Sequence, residues 1–405
     1  MKLNFGKKIK IDTDLQKVEE ILTRGVEDVF TKESLQKKLL SGQQLRIKFG
    51  VDPTSSKIHI GRASVIRKLQ KFQELGHKIV FIVGDFTAQI GDPSDKLEKR
   101  PMILKEKIQE NLKTYKKQVG TLLDLSKAEF HYNSEWLDKL GFQEICELAE
   151  SFSVQQMSNR RNFKERFDKG EEISLREFMY PLMQGYDSVQ VRSDVEIGGF
   201  DQLFNVKAGR TIQKHYGMKE QDVLTTAMLE GTDGRKMSSS WGNVIAITDE
   251  PSDMYGKVMS VKDDLIINYF TIATDVSLEE IDEIKTNLTS GINPRDIKMR
   301  LAREIVTLHH NKEAAEKAEQ DFINTFSKGG IPENVEEIKV VTGEKIVDAL
   351  VQEKILESKG EWRRLVLAGA VSNAETDEKI TSPDEIVKNI ILKVGKRRFV
   401  KIVIR

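Results

Sequence analysis

Cysteine is nearly absent: Cys146 is the single one in 405 residues. One thiol closes no intramolecular disulfide and builds no thiolate metal cluster, which suits a reducing compartment. A surplus of charge of either sign is also missing, since 64 Lys and Arg stand against 64 Asp and Glu. A neutral balance does not exclude an RNA partner, because the local distribution of charge decides that. No long uncharged apolar run occurs, and residues 1–16 lack an apolar signal core, so a cytoplasmic protein with no membrane association is expected. Internal repeats and low-complexity tracts are missing too. What remains is an ordinary globular composition, 39% hydrophobic and 32% charged, with enough apolar material for a core and a length that suits two or three domains.

Residues 34–137 alternate between strand-like and helical patterns. Leu45 to Val51 alternates apolar and polar, then stops at Asp52-Pro53-Thr54. Residues 62–75 carry Val65, Leu69 and Phe72 at helical spacing and end at Gly76, and Ile79 to Val83 is a short apolar run of the kind a buried strand has. Strand, helix, strand predicts a parallel βαβ unit and a Rossmann-like nucleotide site. A second strand-like stretch runs from Val189 through Val195 and ends at Gly198-Gly199. Residues 253–328 read as almost wholly helical, with Pro294 between two helices. Gly329-Gly330-Ile331-Pro332 signals a linker. Beyond it lies a small module, helix-rich first and then a basic strand-like tail.

Four stretches carry chemistry. The first, Asp52 to Arg62, lies between a strand and a helix and contains His59-Ile60-Gly61-Arg62. A helix start offers free N–H groups and a positive dipole end to phosphate. Gly61 allows close backbone approach, and His59 can donate to charge that grows in a transition state. The second, Gly234-Arg235-Lys236-Met237-Ser238-Ser239-Ser240, is a basic stretch running into three serines. In the third, Tyr180-Pro181-Leu182-Met183-Gln184-Gly185-Tyr186-Asp187, Pro181 is expected to open a helix. Tyr180, Gln184 and Asp187 then share one face. A buried phenol needs an acceptor, which Asp187 supplies, and an α-ammonium needs acceptors that Tyr180, Gln184 and Asp92 supply. A solvent-facing amphipathic helix would read the same way. The fourth, Gly198-Gly199-Phe200-Asp201-Gln202, places two glycines, an acid and an amide after a strand.

Together these stretches resemble the bacterial tyrosyl-tRNA synthetases of class I. His59 to Arg62 is similar to their HIGH signature, with Arg62 at the fourth position. Residues 234–243 are similar to their mobile KMSKS loop, with Ser239 where many relatives have a second lysine. Gly91 to Arg100 resembles a flexible loop whose cations close over pyrophosphate. The resemblance implies a Rossmann-like α/β catalytic domain over 1–232, followed over 233–330 by the KMSKS-like loop and an α-helical anticodon-binding domain. A linker at 331–343 and a small α+β RNA-binding module at 344–405 complete it. It also implies that Thr54, His59, Lys96, Arg100 and Lys236 stabilise the transition state. Gly50, Asp52, Gly61, Gly199, Asp201, Met237, Ser238 and Ser239 would hold ATP, and Lys48, Asp92, Tyr180, Gln184, Asp187 and Gln202 tyrosine.

The tail resembles an RNA-binding module shared with ribosomal proteins. Arg363, Arg364, Lys393, Lys396, Arg397, Arg398 and Lys401 would meet tRNA(Tyr) there, although a solvated charged tail has the same composition. ATP with Mg2+ is implied as substrate, with no tightly bound cofactor and no protein-held metal, in a homodimer. A tryptophanyl enzyme and an inactive RNA-binding paralogue are the rival readings. One position departs from part of the family. Many tyrosyl enzymes have a second tyrosine in the first strand, where this chain has Lys48, which either stands beside Asp187 or points to solvent.

Overall fold

The computed structural model describes residues 10–94, 103–238, 241–327, 335–353, 355–356, 358–395 and 398–404. The expected site residues Lys96, Arg100, Ser239, Lys396 and Arg397 lie outside them, as does the linker signal at 329–332. The chain forms two compact units. One comprises the residues up to Asp249 together with Val261–Ile297, and the other comprises Glu250–Ser260 with Lys298 onward.

The first unit is built on a six-stranded sheet. Its strands are β1 (Val26–Phe30), β2 (Arg46–Val51), β3 (Lys78–Val83), β4 (Glu129–Tyr132), β5 (Val195–Gly199) and β6 (Asp222–Thr226), in the order β1-β6-β5-β2-β3-β4. All neighbours pair parallel except β1, which runs antiparallel to β6 at the edge. β3 is an unbroken apolar run buried from Ile79 to Val83, as a parallel strand covered on both faces requires. The βαβ unit expected from residues 45–83 is present, with helix Ile60–Glu74 crossing from β2 to β3. The chain leaves β2 for β3 and β4 on one side and returns through β5 and β6 on the other. β2 and β5 therefore flank a topological switch point, where open α/β sheets place their ligands beyond the carboxyl ends of the strands.

Two local expectations need correction. Pro181 does not open a helix but lies inside one, Leu175–Gln190. The start is fixed upstream by a capping box in which the Arg176 N–H donates to Ser174 Oγ at 3.3 Å and the Ser174 N–H to Glu177 Oε1 at 3.1 Å. Proline still costs the ladder one N–H, yet the helix runs on because it is clamped to helix Leu203–His215. A Cβ at Gly185 would come within 2.7 Å of Ile212 Cγ1 and 3.2 Å of the Ala208 carbonyl carbon. The strand-like run at 189–195 is also mostly not strand: Val189 and Gln190 finish that helix, and β5 begins only at Val195.

The second unit contains helices Pro251–Met259 and Lys312–Ser327, most of helix Pro294–His309, and the C-terminal module. The module holds a four-stranded sheet of β7 (Glu336–Val340), β8 (Val371–Asn373), β9 (Ile390–Val394) and β10 (Arg398–Ile404) in the order β7-β10-β9-β8, with only β7 and β10 parallel. β7 uses residues 336–340, inside the stretch read as a linker. Two helices, Ile346–Gln352 and Lys359–Leu367, supply the rest of its core around a buried Trp362, whose Nε1 donates to the Pro383 carbonyl at 2.8 Å.

Candidate active site

A cavity of about 830 Å3 opens beyond the carboxyl ends of β2 and β5. Every described residue expected to act in catalysis, ATP binding or tyrosine binding lines it, with Lys48 as the one exception. The convergence has a topological cause. Gly50 stands near the end of β2 with Asp52 directly after it, Gly199 ends β5, and both strands stop at the switch point.

His59 is the N-cap residue of helix Ile60–Glu74. Its Nδ1 accepts from the Arg62 N–H at 3.3 Å, so its ring proton sits on Nε2. Burial first, then the charges of Arg62 and Lys236, push its pKa down to about 3. The imidazole is thus a neutral donor at physiological pH. Arg62 is half-buried on the same wall, near the Tyr115 hydroxyl and facing the charges of Asp52 and Asp201. A short antiparallel bridge ties this segment to the chain beyond the second motif. Ile60 N–H donates to the Ile245 carbonyl at 2.8 Å, and Ile247 N–H to the Ile58 carbonyl at 2.9 Å. Within the second motif, Lys236 Nζ stands 2.8 Å from Asp201 Oδ2. Asn243 pins the stretch by accepting from Ser238 N–H at 2.9 Å and donating to Asp233 Oδ1 at 2.8 Å. Thr54 and Met237 complete this part of the lining.

A chain of hydrogen bonds runs through the other part. Tyr180 donates from its hydroxyl to Asp52 Oδ2 at 2.9 Å. Thr87 donates to Asp52 Oδ1 at 2.8 Å and accepts from Asn133 Nδ2 at 3.0 Å. The same amide reaches Asp187 Oδ2 at 3.4 Å, and Trp136 Nε1 donates to Asp187 Oδ1 at 2.8 Å. Burial pushes the Asp187 carboxyl up to about 7, against the pull of Lys48 and of the two donors. Burial, with Asp52 beside it, likewise keeps the Tyr180 phenol protonated well above its ordinary range. Asp92 collects four donors: the Ser94 N–H at 2.9 Å, Ser94 Oγ at 2.7 Å, Gln202 Nε2 at 2.6 Å and Asn205 Nδ2 at 3.2 Å. A fixed, partly satisfied carboxylate of this kind suits an ammonium.

Sequence reasoning left Lys48 open between a place beside Asp187 and one facing solvent, and the structure excludes solvent. Lys48 is fully buried, and its Nζ pairs with Glu196 at 2.9 Å rather than with Asp187. Thr87, Asn133, Trp136 and Glu196 were not foreseen as site residues. The run from Tyr132 to Leu137 offered a signal, since an amide and an indole directly after a strand end stand where a ligand would. In the C-terminal module, Arg363 and Arg364 are exposed on their helix. Arg398 pairs with Glu361 at 2.7 Å and Lys401 with Glu337 at 2.9 Å, while Lys393 Nζ lies 5.9 Å from the Phe399 ring centre. Exposed pairs of this type are weak.

The family model for tRNA synthetases class I (W and Y) matches residues 40–327. A tyrosine–tRNA ligase of Thermotoga maritima is 45% identical over 95% of this chain and 96% of its own. One of Carboxydothermus hydrogenoformans is 44% identical over 96% and 98%. Among solved structures, a C-terminally truncated mitochondrial tyrosyl-tRNA synthetase of Aspergillus nidulans shares the fold with a TM-score of 0.63, at 24% identity, over 79% of this chain and 95% of its own. A family match over well over half of the chain and relatives this similar along its whole length leave one assignment: the chain belongs to the class I tRNA synthetases of the W and Y family.

Proposed function

We propose that this chain is a tyrosine–tRNA ligase, which activates L-tyrosine with ATP and transfers it to the 3′ end of tRNA(Tyr). The observation that carries the reading is one cavity that joins Gln184 and Asp187 with His59 and Lys236. Tyrosine lies with its phenol donating to Asp187 and its ammonium among Asp92, Tyr180 and Gln184. Its carboxylate attacks the α-phosphate of ATP, giving tyrosyl-adenylate and pyrophosphate. A terminal ribose hydroxyl of tRNA then attacks the adenylate carbonyl. No side chain acts as nucleophile; the site positions the reactants and stabilises developing charge. Asp201 and the backbone at Gly199 receive the ribose, Gln202 the tyrosine carboxylate, and His59 and Lys236 the phosphates. Lys96 and Arg100 join the phosphate groups on the strength of sequence alone. ATP arrives as its magnesium complex. The enzyme works as a cytoplasmic homodimer, with the helical region after residue 233 at the anticodon and the basic C-terminal module on the tRNA backbone.

Tyrosine should support ATP–pyrophosphate exchange far better than any of the other nineteen amino acids. A tryptophan preference would assign the chain to tryptophanyl-tRNA synthetase, and no exchange with any amino acid would leave an RNA-binding paralogue. Removing residues 335–405 takes away no group that lines the cavity, and it removes the sheet strand β7 together with its partner β10. The shortened protein should keep tyrosine-dependent exchange. It should lose most tRNA charging, and the salt dependence of tRNA binding should become shallower because fewer phosphates are neutralised. Equal charging by both forms across a salt series would deny the module its RNA-binding role.

A further inference from the structure

Directly beneath the proposed tyrosine pocket lies a buried ionic network that the mechanism does not use. Lys48 on β2 and Glu196 on β5 are register partners in the parallel ladder, and both are fully buried. Lys48 Nζ spends all three of its donors: on Glu196 Oε1 at 2.9 Å, on Ser188 Oγ at 2.7 Å and on the Gln184 carbonyl at 2.7 Å. Glu196 Oε1 also accepts from Gln184 Nε2 at 3.0 Å, and Oε2 accepts from Ser188 Oγ at 3.1 Å and Gln221 Nε2 at 2.6 Å. Helix Leu203–His215 makes room for the network at Gly209. A Cβ there would collide with Gln221 Nε2 and come within 2.6 Å of Ser188 Oγ and 3.0 Å of Glu196 Oε2.

A buried ion pair is seldom retained for stability, since apolar residues of similar volume do as well or better. This pair touches the helix that carries Gln184 and Asp187, and its effects on them are separable. Gln184 commits its NH2 group to Glu196, which leaves its carbonyl oxygen for the cavity it lines. We propose that Lys48 and Glu196 are positioning residues for amino-acid selection: Glu196 orients the Gln184 amide as an acceptor for the substrate ammonium, and Lys48, bonded to the Gln184 carbonyl and Ser188, holds its positive charge against the turn of helix that carries Gln184 and Asp187. The inference rests on the reading that Gln184 and Asp187 hold tyrosine. The groups that face Asp187 are Lys48 from β2, Glu196 from β5, Tyr180 from its own helix, and the neutral donors Asn133 and Trp136. Lys48 favours the carboxylate and Glu196 opposes it, with Lys48 the stronger influence.

The two charges therefore push the same titration in opposite directions. Lys48→Met should move the acid limb of kcat/KM for tyrosine up and Glu196→Gln should move it down, each by about half to one pH unit. A purely structural role gives no reason for opposite shifts. The double variant Lys48→Met/Glu196→Gln leaves no unpaired buried charge, so it keeps the test alive if a single variant fails to fold. It should raise KM for tyrosine about tenfold, with kcat within about threefold and KM for ATP unchanged. A double variant with the wild-type KM for tyrosine would overturn the proposal, as would single variants whose acid limbs stay put or move together. Asp187→Ala, measured alongside, separates the two levels. If it leaves KM for tyrosine unchanged, the pocket reading itself fails; if it raises KM while the Lys48 and Glu196 variants do not, only the positioning role fails.

Discussion

Asp187→Ala lowers kcat/KM for tyrosine by about a hundredfold or more and leaves KM for ATP near its starting value. The size follows from three losses at one point. The phenol of the substrate loses a charged acceptor, and Trp136 Nε1 and the Asn133 amide, which both point at this carboxylate, lose theirs. A hydrogen bond to a charged group contributes about 1.5–3 kcal/mol net, and orphaning buried donors adds to the cost. The proposed phosphate-binding groups His59 and Lys236 are held elsewhere, by the Arg62 N–H and by Asp201, and stay in place. Phenylalanine responds differently. A site built around a hydroxyl rejects the analogue without it because its own polar groups are left unpaired, and tyrosyl enzymes are the standard instance. Removing Asp187 removes that unpaired group, so the preference for tyrosine over phenylalanine should shrink. Pyrophosphate exchange with both amino acids checks this, and an unchanged preference would place the phenol elsewhere.

His59→Ala should slow adenylate formation by about a hundredfold to a thousandfold, while the dissociation constant for tyrosine stays within about twofold. His59 stands at the start of helix Ile60–Glu74, with its Nδ1 occupied by the Arg62 N–H and its Nε2–H free to donate. The helix dipole and the imidazole both favour negative charge, and that charge grows on the phosphate only as the reaction proceeds. A ground-state binding defect would contradict this role. The ring is neutral down to about pH 3, so its action needs no titration near neutrality. Loss of a limb between pH 5 and 8 in the alanine variant would show that a charged imidazole does the work instead. Pre-steady-state formation of the adenylate, followed across that range, distinguishes the two.

Much of this was legible from local pattern. The βαβ unit at 45–83 announces itself by alternation, helical spacing and an apolar run, and the groups at 52–62, 180–187, 198–202 and 234–238 stand next to strand ends or helix starts. What local pattern missed depends on partners from distant sequence. Lys48 reads as the polar member of an alternating strand, and only the pairing of β2 with β5 brings Glu196 beside it and allows both charges to be buried. Pro181 reads as a helix start because proline favours the first turn, but the capping box at Ser174 and Glu177 sets the boundary earlier. Asn133 and Trp136 become site residues only because β4 pairs parallel with β3 and ends at the same edge as β2.

The room that Gly209 leaves to the buried network has an evolutionary consequence. Positions 48, 188, 196, 209 and 221 meet in one volume, and each is suitable only while the others are what they are. A tyrosine in place of Lys48 would strand Glu196 without a counter-charge, and an alanine in place of Gly209 would drive Gln221 and Ser188 out of position. Strong epistasis of this kind closes single-step routes between two ways of recognising a phenol. A lineage that adopted the lysine is held to it by its neighbours, so transplanting individual pocket residues between the two types should fail where exchange of the whole set succeeds.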